Sequence, residues 1–84
     1  MDEQHERFLQ AIYVAQDAIG RADARDIAER LGMDIINVKA DRDLYQDTIL
    51  ELRDSGYLEC SAYNYGLPCG IVRLTESGLT YVIP

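Results

Sequence analysis

The side chains able to do chemistry are few in this chain, and they are scattered. His5 is the only histidine, and it sits among the acids of the amino-terminal segment. A nucleophile needs a base within hydrogen-bond reach. One terminal histidine beside Glu6, expected to face solvent, supplies no serine–histidine or cysteine–histidine arrangement. The carboxylates are spread along the chain without the paired spacing of an acid–base couple. Cys60 and Cys69 make only half of a four-thiolate metal site. No glycine loop of the phosphate-cradling kind is present. The chain therefore reads as a non-enzyme with no cofactor.

Charge is the strongest constraint on what the chain binds. Fifteen acidic residues face eight basic ones, for a formal net charge of −7. Lys39 is the only lysine, and several arginines stand beside acids: Arg25 before Asp26, Arg30 after Glu29, Arg42 between Asp41 and Asp43. DNA and anionic membranes repel such a surface unless a local basic patch exists. The opening Met1-Asp2-Glu3-Gln4-His5-Glu6 is charged where a secretory signal needs an apolar stretch, and no apolar run is long enough to span a bilayer. Cytoplasm is the expected compartment. There Cys60 and Cys69, which could face each other across a hairpin, are expected as free thiols.

Those side chains must be positioned by a small single domain, residues 1–84, with nearly half of its residues apolar. Phe8, Ile12, Ala15 and Ile19 recur at helical spacing, widened by Leu9 and Tyr13, and Gly20 ends that helix. A short second helix follows an Asp23 cap, presents Ala24, Ile27, Ala28 and Leu31, and stops at Gly32. Tyr45, Ile49 and Leu52 mark a third helix closed by Gly56, with Asp41 preferred as its cap. Residues 34–40 are ambiguous. An upstream extension of that helix would keep Ile35 and Val38 nearly on its apolar face. Tyr57–Tyr63 and Gly70–Leu74 read as strands around a turn at Asn64–Pro68. Thr75 caps a short last helix that Gly78 and Thr80 weaken.

In this order the pieces resemble a winged helix-turn-helix domain. Asp26-Ile27-Ala28-Glu29-Arg30-Leu31-Gly32 resembles its second helix. Ile49 to Glu59 resembles the end of its recognition helix entering the wing. Val72-Arg73-Leu74-Thr75-Glu76-Ser77-Gly78 resembles the exit of MarR-like and related transcription regulators. The likeness runs from about Phe8 to Val82. It implies a mainly α (α+β) fold: three helices, a two-stranded β-hairpin wing and a short C-terminal helix. It also implies double-stranded DNA as partner, and a possible homodimer through the first helix and the tail. No membrane partner is implied.

Two features depart from that pattern. The connection after Gly32 is longer than the usual tight turn. The DNA-facing parts also carry the wrong charge. With Asp41 as cap, Arg42 could pair with guanine and Gln46 with adenine, and a positive stripe joining Arg42, Lys39, Arg25 and Arg73 would favour DNA. Asp43 and Asp47 would lie among them. The wing has no basic residue between Tyr57 and Val72. Its Tyr63, Tyr65 and Leu67 suit a protein contact instead. A basic protein partner is thus the alternative to DNA. A salt-adapted protein would also be acid-rich and lysine-poor, and there the net charge would not exclude DNA.

Overall fold

The computed structural model describes residues 2–64 and 67–82, without the side chains of Ile19, Ala62, Tyr63, Asn64 and Pro68. The domain is mainly helical, with a small antiparallel sheet.

Helix α1 spans Glu3–Ile19. The Asp2 carboxylate accepts from the His5 N–H at 2.9 Å, and Glu3 and Glu6 sit at the positive end of the helix dipole. Phe8, Leu9, Ile12 and Ala15 are buried along one face. Gly20 ends the helix in the left-handed region (φ +81°), donating to the Gln16 carbonyl at 2.7 Å. The chain then makes a two-residue strand β1, Ala22–Asp23, and enters α2, Ala24–Leu31. Asp23 caps α2 as expected, accepting from the Asp26 N–H at 2.9 Å. Ala24, Ile27 and Ala28 are buried against α1.

Helix α3 spans Lys39–Asp54, and its start corrects the expected cap. Val38 occupies the cap position and offers no side-chain bond. Asp41 lies inside the first turn, and its carboxylate reaches back to accept from the Asp34 N–H at 2.8 Å. The Asp34 carboxylate in turn accepts from the N–H groups of Ile36 and Asn37, at 3.1 and 2.9 Å. Two aspartates therefore hold the connection as a hydrogen-bonded turn rather than as a helical extension. That turn sends Ile35 into the core and leaves Val38 exposed, so the two do not share the α3 face.

Among the described residues, three strands replace the two expected. Strand β2, Leu58–Asn64, and strand β3, Leu67–Leu74, form the hairpin. Strand β1 adds to the free edge of β3, giving the order β1-β3-β2. Ala22 pairs with Val72 and Asp23 with Ile71. The β2–β3 register shifts between Cys60 and Ala62 and again between Ala62 and Asn64.

Cys60 and Cys69 are joined as a disulfide, with Cα atoms 5.0 Å apart. This corrects the free-thiol expectation: the hairpin brings the two residues within bridging reach. Helix α4, Glu76–Val82, closes the domain. The Thr75 hydroxyl donates to the Gly56 carbonyl at 2.6 Å and accepts from the Gly78 N–H at 3.2 Å, so it both caps α4 and ties it to the end of α3. Among the described residues, no helix is long and apolar enough to cross a membrane.

Candidate functional site

Lys39, Arg42 and Gln46 stand at i, i+3 and i+7 on α3, which sets them along one side of the helix. Each is held differently. The Lys39 ammonium lies 2.7 Å from Asp43 Oδ2, and that hydrogen bond raises its pKa above the ordinary lysine value. Arg42 donates from a guanidinium nitrogen to the Ile35 carbonyl at 3.3 Å, which pins the first turn of α3 to the preceding connection. Gln46 is half-buried. Arg25 lies on α2, where its Nε stands 3.5 Å from Glu29. It lines a recess of about 260 Å³ with Glu29, Asp34, Ile36 and Asn37. Lys39, Arg42 and Gln46 are not among the residues lining that recess.

The ground around these cations is acidic and partly apolar. Residues 23–47 hold seven acids against four bases. Asp43, Asp47 and Leu44 are exposed on α3, and Ile36 and Val38 are exposed in the connection before it. Hydrogen bonds from Asn37 hold the Asp34 carboxyl below its ordinary pKa, so it stays charged.

The hairpin residues proposed for a partner fare differently. Leu67 is 1 % exposed, a core residue and not a contact surface. A break in the alternation of β3 explains the correction: Leu67 and Cys69 are buried, and so are Val72 and Leu74, so the inward positions change parity between them, where the hairpin register is irregular. Tyr65 and the side chain of Tyr63 lie outside what is described.

Three relationships had no signal in the sequence. His5 does not simply face solvent: its Nε2 lies 2.9 Å from Glu51 Oε2, bridging α1 and α3 across 46 positions. Arg53, whose pairing with the adjacent Asp54 at 3.0 Å follows from their neighbouring positions, also reaches the distant Cys69 sulfur at 3.8 Å. Tyr45, Phe8 and Thr48 are buried together in the core, and among the described residues the Tyr45 hydroxyl has no hydrogen-bond partner. No group of three or more metal-ligating side chains comes together among the described residues. Comparison with protein-family models, with curated proteins and with solved structures gave no match to this chain.

Proposed function

We propose that this chain is a winged helix-turn-helix domain that works as a protein-interaction module, taking a partner that carries basic side chains. The order α1, β1, α2, α3, hairpin supports the fold, as does the hairpin's direct descent from the end of α3. One observation carries the function. Where a DNA reader would present cations, the first turns of α3 present Asp43 and Asp47 with exposed Leu44 on the same stretch of helix, and its one lysine is paired with Asp43. An apolar contact rimmed by acids fits a protein surface with basic side chains around an apolar anchor. The same rim opposes a phosphate backbone.

The test is a titration of the chain with mixed-sequence duplex DNA at low salt. The expected result is no association. Salt-sensitive binding would overturn the protein-interaction reading.

A second reading, DNA binding by a domain of the transcription-regulator type, is favoured by the alignment of Lys39, Arg42 and Gln46 on one side of α3. Under it, Arg42 reads guanine and Gln46 reads adenine. Self-association belongs to either reading. Val14 of α1 and Tyr81 of α4 are exposed on one open groove of about 670 Å³, which also carries Glu3, Glu6, Arg7 and Arg30. Sedimentation over a concentration series measures it.

A further inference from the structure

We propose that the outward face of the sheet holds a binding site for a small phosphorylated ligand, centred on Arg21 and Arg73. Whether α3 meets a protein does not bear on it.

The cations of this acidic chain are mostly engaged. Arg25, Arg30, Lys39 and Arg53 each lie within 4.0 Å of a carboxylate, and Arg42 bonds the Ile35 carbonyl. Arg21 and Arg73 have no such carboxylate among the described residues, and both are exposed. They are also neighbours. Strands β1 and β3 pair Ala22 with Val72, and Arg21 and Arg73, each next in sequence to one member of that pair, line one recess. Ala22 and Val72 are buried, so strand alternation turns the two arginines to the outside.

Like charges held close together on a sheet are destabilising. Here they are set together in a chain with nearly twice as many acids as bases. Glu59 pairs with Arg73 in the backbone register on the other side, yet it does not come within ion-pair distance. An anion between the two guanidinium groups removes the repulsion and receives charge-assisted hydrogen bonds from both.

The surroundings limit the size of that anion. Gly20, Arg21, Glu59, Ser61 and Arg73 line one recess of about 350 Å³, a volume suited to a small molecule. Two arginines match one phosphoryl or pyrophosphoryl group. An extended polyanion would also have to lie along a molecule of net charge −7 beyond the recess.

The test uses the full chain and inorganic pyrophosphate, followed by backbone amide NMR shifts. Saturable shifts confined to residues 20–23, 59–61 and 71–73 are expected. Arg21→Ala and Arg73→Ala, both at exposed positions, should each weaken binding about tenfold, the loss of a charged hydrogen bond. Lys39→Ala should leave it unchanged. Circular dichroism of each variant establishes that the fold is kept. Absence of shifts overturns the site, as does equal weakening by Lys39→Ala, which would mark diffuse attraction. A parallel titration with a short duplex separates the ligand classes. Duplex binding that needs Arg73, without pyrophosphate binding, would replace the small ligand by a nucleic-acid backbone and overturn the proposal.

Discussion

Gly78 packs directly beneath the carbonyl oxygen of Tyr57, so closely that a Cβ at position 78 would overlap that oxygen and press on the Leu74 side chain. The same carbonyl accepts from the Thr75 N–H at 3.1 Å, so neither it nor the start of α4 is free to retreat. Glycine stands in this helix for space, although it weakens the helix itself.

Gly78→Ala should therefore lower stability, against the direction of helix propensity. Alanine gains about 1 kcal/mol in an ordinary helix interior, while overpacking a close backbone contact costs about 1–3 kcal/mol. Urea denaturation measures the balance, and a raised midpoint would refute the close-contact account.

Tyr45 gives a prediction in pH. Its hydroxyl is buried without a hydrogen-bond partner among the described residues, and burial, helped by the nearby Asp23 charge, pushes its pKa well above the ordinary tyrosine range. The unfolded chain ionises at the ordinary value of about 10 and the folded chain does not. Stability should then be flat through neutral pH and fall as pH rises above about 10, where the unfolded state has released a proton that the native state still holds. Tyr45→Phe should remove this component. At neutral pH it should be neutral or stabilising by up to about 1 kcal/mol, since no hydrogen bond is lost. Denaturant midpoints at several alkaline pH values test both parts, and a large loss at neutral pH would mean that the hydroxyl is bonded.

Leu67 separates a core role from a contact role. Buried in the hydrophobic cluster with Cys69, Val72 and Leu74, it should lose about 2–5 kcal/mol as Leu67→Ala. Thermal unfolding reads this directly. A loss below 0.5 kcal/mol, the ordinary scale for surface positions, would return it to the surface.

The Cys60–Cys69 bond should contribute to stability by restricting the unfolded chain. Its sequence separation of nine residues corresponds to about 2–3 kcal/mol in the loop-entropy account. Urea midpoints with and without a reductant measure this. Cys60→Ser/Cys69→Ser should match the reduced protein and should not respond to reductant.

By itself the sequence determined the order of the helices and the bounds of α1 and α2, but not the start of α3. Asp2 and Gly20 bound α1, and Asp23 and Gly32 bound α2, because caps and left-handed glycines act on backbone groups a few residues away. The periodic burial of Phe8, Leu9, Ile12 and Ala15, and of Tyr45, Ile49 and Leu52, is equally local and was legible for the same reason. The candidate surface was legible only as residue types: Lys39, Arg42 and Gln46 fall on one side of α3, but their partners do not follow from spacing.

What only the tertiary structure decided depends on where distant segments meet. Strand β1 is two residues long, too short for any pattern, and exists because β3 offers it an edge. A break in the alternation of β3, where the hairpin register is irregular, sets Leu67 inside. His5 finds Glu51, Gly78 meets Tyr57, and Arg21 and Arg73 come to line one recess only after the chain has returned on itself. Such pairings are fixed by register and packing between elements distant in sequence, and residue types alone do not encode them.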